Sequence, residues 1–302
     1  MTPKIVTFIL SSDYSGSNWV GYVLGSGQHS AFLGEFWRAW SSEFRQPCSW
    51  CAAHGHAVCD VLDGVEKYPE REAMETAFSR IGKPFLVDSS KRKKWAELFV
   101  IPNSRYEVRL IHLIRDPRGF VTSWRRRGRD DLRRLAAEWL DENLRLREFL
   151  QAGAAKSTTV FYEDLAESPL TNFAELCSFI GFPFEPAALR YWEKAHHGFA
   201  ANGASSPLLY KAPHSSALEY FVTGDDSYYR ERGQTTFVDQ RWKHQLSPSE
   251  GLAIVEHPAL ADFLKLYDRA LSPGGLLTLS ASKAETVPNS MVSDTHRRAA
   301  TN

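Results

Sequence analysis

The stretch IVTFILSSDYSGSNWVGYVL, from Ile5 to Leu24, joins a strand pattern to a helix pattern through a short turn. The apolar run Ile5–Leu10 predicts a buried strand, and a helix is expected from Asn18. Small and hydroxyl residues fill the turn, and the first N–H groups of a helix are unpaired, which suits binding of a phosphate-like anion. The turn carries Tyr14 but no lysine or arginine, so it leaves open which group balances the charge of that anion.

Length and charge restrict the class of protein. The chain has 302 residues, of which 43% are hydrophobic, enough for one large α/β domain or two small ones. Thirty-six basic residues balance 36 acidic ones, which argues against a protein built for nonspecific nucleic-acid binding. The basic patch WRRRGRDDLRR, residues 124–134, is either a functional surface or a solvated helix face.

No targeting or membrane segment is recognisable in the sequence. The apolar run after Lys4 is too short for a signal peptide, and no run approaches the about 20 apolar residues that cross a bilayer. Four cysteines, three of them within residues 48–59, do not form the pattern of an oxidised secreted protein. We therefore expect a soluble, cytoplasmic protein with no membrane partner and no nucleic-acid partner. The sequence leaves its oligomeric state open.

Strand-like apolar runs alternate with helical patterns along the chain, which is typical of a parallel sheet covered by helices. The expected fold class is therefore α/β: a P-loop-like, doubly wound parallel β-sheet of about five strands flanked by helices. The strands are expected at Ile5–Leu10, Ser30–Leu33, Pro84–Val87, Val108–Ile114 and Thr158–Phe161. The helices are expected at Asn18–Leu24, Lys93–Phe99, Pro117–Arg125, Leu132–Leu150 and Pro169–Ile180.

Two regions depart from this alternation within one domain, residues 1–279. Residues 37–82 form a Cys/His-rich insertion between the second and third strands, and residues 196–234, rich in Gly, Ser, Pro and Tyr, form an irregular covering segment. Helix is expected again from Leu246 to Leu271. Residues 280–302 contain few large apolar side chains and are expected to be a disordered tail.

The second informative stretch is VRLIHLIRDPRGFVTSW, from Val108 to Trp124. A buried strand is expected to end at Ile114, which places Arg115 at its carboxyl end, where open α/β sheets bind their ligands. Asp116 and Pro117 suit the start of a helix. Arg115 is therefore placed to bind a second anion, with Ser123 further along the helix; the alternative is that Arg115 pairs with Asp116 or another nearby carboxylate.

Taken together, these stretches resemble the sulfotransferases that use 3′-phosphoadenosine 5′-phosphosulfate (PAPS), in particular the bacterial and tyrosyl-protein branches. YSGSNW is similar to their 5′-phosphosulfate loop, and RDPRGFVTS to their 3′-phosphate motif, with an arginine and a serine eight positions apart. Three further segments are similar to family landmarks in the expected order: VDSSK at Val87–Lys91, FYEDL at Phe161–Leu165 and FVDQRWKHQLS at Phe237–Ser247.

The resemblance implies a site for PAPS and for its product 3′-phosphoadenosine 5′-phosphate (PAP). It implies that Arg115 and Ser123 hold the 3′-phosphate, that Tyr162 contacts the adenine region and that the transfer needs no metal. Tyr14 stands where the family usually has lysine or arginine. Hydrogen bonds to the 5′-phosphosulfate are expected from the loop residues Tyr14, Ser15, Gly16, Ser17 and Asn18.

Sulfuryl transfer needs a base for the acceptor hydroxyl and positive charge for the leaving phosphate. Glu35, in FLGEFW after the second strand, matches a catalytic glutamate of similar tyrosyl-protein and carbohydrate sulfotransferases and is the expected base. Lys91, at the end of VDSSK, is expected to supply the charge that Tyr14 lacks. The alternatives are a surface glutamate and a solvated lysine.

The segment PCSWCAAHGHAVCD, residues 47–60, has metal-ligand spacing. Cys48, Cys51 and Cys59 with His54 or His56, of which we assign His56, form a candidate structural zinc site. All these ligands come from one short segment, whereas structural sites usually join two. A redox pair or reduced packing cysteines are the alternatives.

The predicted function is transfer of the sulfuryl group of PAPS to a hydroxyl of a small-molecule, carbohydrate or tyrosyl acceptor. One alternative is a P-loop-like small-molecule kinase, although the loop lacks the Walker GK pattern. Another is a catalytically weak PAPS- or PAP-binding protein, because Tyr14 replaces the usual cation. The histidine pair His196–His197 resembles a family segment near the substrates, and we assign it no catalytic role.

Overall fold

The computed structural model describes residues 3–41, 48, 50–51, 54, 56–102, 104–199, 228, 232, 235–275 and 277–279. Its centre is a sheet of five parallel strands in the order β2-β3-β1-β4-β5, which confirms the predicted α/β class. The strands are β1 Ile5–Leu10, β2 Ser30–Phe32, β3 Phe85–Lys91, β4 Glu107–Ile114 and β5 Lys156–Phe161.

Helices cover both faces of this sheet. The described α-helices are α1 Ser17–Leu24, α2 Glu70–Ile81, α3 Lys93–Glu97, α4 Pro117–Arg125, α5 Leu132–Gln151, α6 Tyr162–Glu167, α7 Pro169–Ile180, α8 Trp242–Gln245, α9 Pro248–Val255 and α10 Pro258–Lys265. Short 3₁₀-helices span Phe36–Trp40, Val65–Lys67 and Pro186–Glu193. None of the helices in the described part of the chain combines the length and apolar character needed to cross a membrane.

The strands are buried because the layers on each face supply apolar partners. Every residue of β1 is buried, as expected for the central strand of a parallel sheet covered on both sides. On one face α1 and α7 pack around Val20 and Phe173. On the other face the insertion packs around Phe36 and Phe78. These layers leave the carboxyl edge of the sheet to the loops that follow each strand.

Strand β3 extends beyond its predicted end at Val87 and carries the whole VDSSK segment. Phe8 pairs with Asp88 but Leu10 pairs with Lys91, so β3 holds one extra residue opposite β1. This bulge leaves Lys91 with a φ of 65°. Bulges of this kind re-aim a side chain, and here the re-aimed side chain is the lysine that the sequence singles out.

The structure differs from the predicted helices in several places. Helix α2 lies inside the insertion, where no helix is predicted, and α6 begins directly after β5. The expected helix from Leu246 to Leu271 is instead two helices, because Ser247 forms a capping box that starts α9 and Pro258 starts α10. The chain then forms a short antiparallel ribbon, β6 Arg269–Ala270 with β7 Thr278–Leu279.

Two predicted segments fall largely outside the described residues. The expected tail at residues 280–302 lies outside them entirely. Of the expected covering segment at residues 196–234, the structure describes residues 196–199, 228 and 232.

Arg118, on α4, is a fully buried cation held by a closed set of acceptors. Its Nη2 lies 2.6 Å from Asp116 Oδ2, and its guanidinium lies 3.7 Å from the centroid of the Trp242 ring. The guanidinium also donates to three backbone carbonyl oxygens within residues 272–275. The segment after β6 therefore closes over the start of α4 and satisfies this charge.

Candidate functional site

The loop after β1, residues 11–16, forms a tight turn into α1. Ser15 Oγ donates to the carbonyl oxygen of Ser12 at 2.5 Å, and Ser15 is buried. Gly16 has a φ of 86°, and a Cβ atom at this position would lie 2.7 Å from the ring of Tyr162. Glycine is required because the backbone is left-handed and passes against an aromatic ring. The loop presents an α1 N-terminus with no side-chain cap and no acidic residue in its first turn.

Arg115 joins the two motifs that the sequence singles out. Its Nη1 donates to the carbonyl oxygen of Tyr14 at 2.7 Å, and its guanidinium lies 4.7 Å from the centroid of the Tyr162 ring. Its Nη2 lies 3.0 Å from Asp239 Oδ2. Arg115 therefore faces the loop, and its carboxylate partner is Asp239, while Asp116 pairs with Arg118 and caps α4.

Asp239 is buried between two guanidinium groups. Burial by itself would raise the pKa of Asp239, but Arg115 and Arg241 outweigh burial and hold that pKa well below its usual range. The carboxylate is therefore ionised and neutralises part of the charge of Arg115. A ligand phosphate at Arg115 would share the guanidinium with this carboxylate.

Ser123 lies one turn after the glycine against which Arg115 packs. A Cβ atom on Gly119 would lie 2.8 Å from Arg115 Nε, and Ser123 Oγ donates to the carbonyl oxygen of Gly119 at 2.8 Å. Arg126 Nη2 donates to the same Ser123 Oγ at 3.1 Å. The structure thus brings Arg115 and Ser123 to one side of α4 and adds Arg126, from the basic patch.

Tyr14, the residue that replaces the expected cation, lies beside a cation from the segment just after α4. The guanidinium of Arg127 lies 4.2 Å from the centroid of the Tyr14 ring, and Trp124 contacts the ring edge-on at 5.1 Å between centroids. Burial raises the pKa of Tyr14, with Arg127 acting in the opposite sense, so the phenol is neutral near neutral pH. Positive charge beside the Tyr14 ring therefore comes from Arg127, just after α4, and the Arg115 guanidinium lies at the Tyr14 carbonyl.

Glu35 and Lys91 meet at the carboxyl edge of the sheet. Glu35 precedes the 3₁₀-helix Phe36–Trp40 and is only 4% exposed. Its Oε1 forms an ion pair with Lys91 Nζ, and its Oε2 accepts a hydrogen bond from Arg38 Nε at 2.8 Å. The expected base and the expected ammonium group are thus direct neighbours, and the expected alternatives of a surface glutamate and a solvated lysine do not hold.

The polar end of β3 is fixed by buried hydrogen bonds. Ser89 Oγ donates to Asn18 Oδ1 at 2.8 Å, which ties β3 to the first turn of α1. Asp88 accepts hydrogen bonds from Ser90 N at 2.6 Å and from Trp95 Nε1 at 2.7 Å. Burial raises the pKa of Asp88 to about 6. These bonds explain how a strand can hold the sequence DSS away from water.

Tyr162 links the loop to the late segment of the chain. Its hydroxyl oxygen accepts a hydrogen bond from the backbone N–H of Asp239 at 3.0 Å, and its ring packs edge-on against Trp19. The contact with adenine stays a prediction. Next to it, Glu163 is buried, and burial, reinforced by Asp116, raises its pKa to about 8.

The cysteine cluster forms, but with a different histidine from the one expected. The Sγ atoms of Cys48, Cys51 and Cys59 gather around His197, and all four ligand atoms lie within 4.8 Å of one another. His56 is exposed and is not part of this group, so its assignment was wrong. The cluster joins two distant segments of the chain, contrary to the expectation that one segment supplies every ligand.

Sequence reasoning missed several residues at this edge of the sheet. Arg38 follows Glu35 at helical spacing, which is a usable local signal. Arg126 and Arg127 belong to the basic patch, whose function the sequence leaves open. His197 is visible only as half of a histidine pair, because no local spacing connects it to the cysteines.

The fold matches those of known sulfotransferase domains. The sulfotransferase domain from the curacin biosynthetic pathway superposes with a TM-score of 0.50 at 19% identity, covering 85% of this chain and 98% of that one. The sulfotransferase domain from the Synechococcus PCC 7002 olefin synthase gives a TM-score of 0.51 at 15% identity, covering 90% and 97%. No family model and no curated protein matches the sequence. The chain has the fold of sulfotransferase domains, as the sequence predicts.

Proposed function

We propose that this chain is a PAPS-dependent sulfotransferase, with residues 1–279 forming its catalytic domain. It would transfer the sulfuryl group to a hydroxyl of a small-molecule, carbohydrate or tyrosyl acceptor. The main support for the proposal is one contact. Arg115, in the expected 3′-phosphate motif, donates a hydrogen bond to the carbonyl oxygen of Tyr14, in the expected 5′-phosphosulfate loop, at 2.7 Å. The two motifs border one region, as a nucleotide with charged groups at both ends requires.

The groups that border this region suit the two anionic ends of PAPS. On the loop side, the uncapped first turn of α1 can direct its N–H groups toward an anion. On the other side, Ser123 Oγ lies between Arg126 and the glycine that supports Arg115. The Arg126 guanidinium at this hydroxyl, together with the Arg115 guanidinium packed against Gly119, favours a phosphate dianion. The order of the groups along the sheet edge therefore agrees with a single bound molecule.

The proposed reaction is an in-line displacement at sulfur. Bound PAPS supplies the electron-poor sulfuryl group. Glu35 accepts the proton of the acceptor hydroxyl as the new S–O bond forms. Lys91 stabilises the negative charge on the phosphate oxygen that is released when the old S–O bond breaks, which leaves PAP and a sulfated acceptor. Arg38 holds Glu35 Oε2. Oε1, which pairs with Lys91, is therefore the oxygen that accepts the proton of the acceptor hydroxyl.

Nucleotide binding tests the proposal first. Calorimetric titration of the full chain with PAP and with ATP, each with and without magnesium, should give tighter binding of PAP in both conditions. Preference for ATP that depends on magnesium would instead support a small-molecule kinase. Transfer of labelled sulfate from PAPS is then measured across phenols, alcohols, sugars and tyrosyl peptides, and label should appear in one acceptor class.

A second candidate function is a PAPS- or PAP-binding protein with little catalysis. One observation favours it: the loop side chain at the position of the usual cation is the neutral phenol of Tyr14. Tight binding of PAP without transfer to any acceptor class would support this function over the enzyme.

A further inference from the structure

Four side chains of types that commonly bind metal ions lie close together beside the end of β2, outside the proposed nucleotide region. Cys51 and Cys59 place their Sγ atoms 3.5 Å from His197 Nδ1, and Cys48 places its Sγ atom 3.8 Å from the same nitrogen. All three cysteines are buried, and all are free thiols rather than disulfides. The thiols and the imidazole nitrogen therefore face a common centre.

The separations match those of ligands around one tetrahedral metal ion. Zinc bonds of about 2.3 Å to sulfur and about 2.0 Å to nitrogen, at tetrahedral angles, separate a sulfur from a nitrogen by about 3.6 Å. The observed separations of 3.5, 3.5 and 3.8 Å scatter around that value. Packing cysteines have no reason to direct three sulfurs at one imidazole nitrogen.

We propose that Cys48, Cys51, Cys59 and His197 bind one structural zinc ion. Three thiolates and one imidazole form a donor set that zinc prefers, and soft sulfur ligands disfavour magnesium and calcium. With four protein ligands the coordination is complete, so the ion has no open position for a substrate. Its role is to join the insertion to the chain that returns at His197.

The segment from His197 to Phe199 is hydrogen-bonded to the backbone on either side of Gly34 and so positions Glu35. Phe199 N donates to the carbonyl oxygen of Leu33 at 3.0 Å, and Glu35 N donates to the carbonyl oxygen of Phe199 at 3.2 Å. Phe199 also forms a bridge with Cys48, one of the proposed ligands. Gly198 permits this crossing because a Cβ atom there would lie 2.9 Å from Gly34 N. The ion would therefore fix the segment that positions Glu35; this consequence, unlike the zinc site itself, rests on the proposed function.

The test is the zinc content of purified full-length protein after incubation with zinc sulfate and desalting. We expect about one zinc per chain in the natural sequence, and a loss of most of that zinc in His197→Ala. His56→Ala is the matched control, because this histidine lies in the cysteine segment but outside the cluster. Cys177→Ser controls for loss of a buried free thiol elsewhere. Both controls should keep their zinc.

A second measurement on the natural sequence does not depend on the folding of any variant. Cobalt substituted for zinc should give thiolate-to-metal charge-transfer bands and the intense visible bands of tetrahedral coordination. A strong chelator should lower Tm, and added zinc should restore it. Zinc far below one per chain, or equal loss in His56→Ala and His197→Ala, overturns the proposal. PAP binding measured on the same samples reports separately on the proposed function.

Discussion

Lys91 and Glu35 form an ion pair across the carboxyl edge of the sheet although they lie 56 positions apart in the chain. The pair depends on the extra residue in β3, which leaves Lys91 in the left-handed region of φ, and on the tight turn after β2. Arg38 holds the second oxygen of Glu35. A carboxylate and an ammonium group are thus adjacent before any ligand binds.

Replacing Lys91 should separate chemistry from binding. In Lys91→Ala we expect kcat for sulfate transfer to fall by about 10²–10³-fold, because the leaving phosphate loses its stabilising charge. The Kd for PAPS, in which this phosphate oxygen is still bonded to sulfur, should change little, and Arg38 still compensates Glu35. Lys93→Ala, which removes an exposed ion pair with Glu97, is the control. Near-normal kcat in Lys91→Ala would exclude the proposed role.

Replacing Arg115 should remove selectivity for the 3′-phosphate. In Arg115→Lys we expect PAP affinity to fall by about 10–100-fold, because lysine cannot reproduce the contacts of a guanidinium. Affinity for AMP, which lacks the 3′-phosphate, should change much less. Titration calorimetry with PAP and with AMP measures the ratio of the two affinities. Arg109→Lys is the control, because Arg109 lies near the start of β4 and pairs with Glu107. Equal losses for both nucleotides would indicate a structural role only.

Comparison of Gly16 with Gly82 separates the effect of backbone strain from that of a steric clash with a neighbouring side chain. Both Gly16 and Gly82 have positive φ, 86° and 70°, but only at Gly16 would a Cβ atom meet a neighbour, the Tyr162 ring. Gly82→Ala should lower the free energy of unfolding by about 1 kcal/mol from backbone strain alone. Gly16→Ala should lower it further and weaken PAP binding. Urea denaturation and titration calorimetry measure the two effects; equal destabilisation without a binding change would contradict this assignment.

Glu163 makes stability depend on pH in a defined direction. Its pKa rises from an ordinary value of 4.5 to about 8 on folding, so the folded state binds more protons than the unfolded state between these values. The free energy of unfolding should therefore fall as pH rises through that window. Glu163→Gln cannot ionise and should lose less stability between pH 5 and pH 9 than the natural sequence. Urea denaturation at both pH values tests this, with exposed Glu167→Gln as control; parallel pH profiles would refute it.

The sequence predicts most of the sheet because buried parallel strands are continuous apolar runs. It fails where burial is polar: β3 continues through Asp88 and Ser89 because Trp95 and Asn18 supply their hydrogen bonds. Helix α2 is missed for a different reason. Its buried side chains, Ala73, Met74, Ala77 and Phe78, follow helical spacing, but the apolar face is short and two of its four residues are alanine, so the signal is weak.

The candidate site is predictable only where its residues lie at strand ends. Glu35, Lys91 and Arg115 each follow or end a strand, so parallel topology brings them to one edge. His197 follows no such rule, because 138 positions separate it from Cys59 and only the folded backbone joins them. Local spacing therefore selected His56, which lies within the cysteine segment, and that choice was wrong.

The enclosure of Arg118 bears on how far the chain can be trimmed for crystallisation. Cleavage before Ser272 would remove three carbonyl acceptors and uncover a guanidinium that is fully buried in the intact chain. Water would replace part of those hydrogen bonds, at a net cost of about 0.5–1.5 kcal/mol for each intramolecular bond lost, which is a sizeable share of the stability of an ordinary domain. A boundary after Leu279 keeps those acceptors and the ribbon strand that follows them.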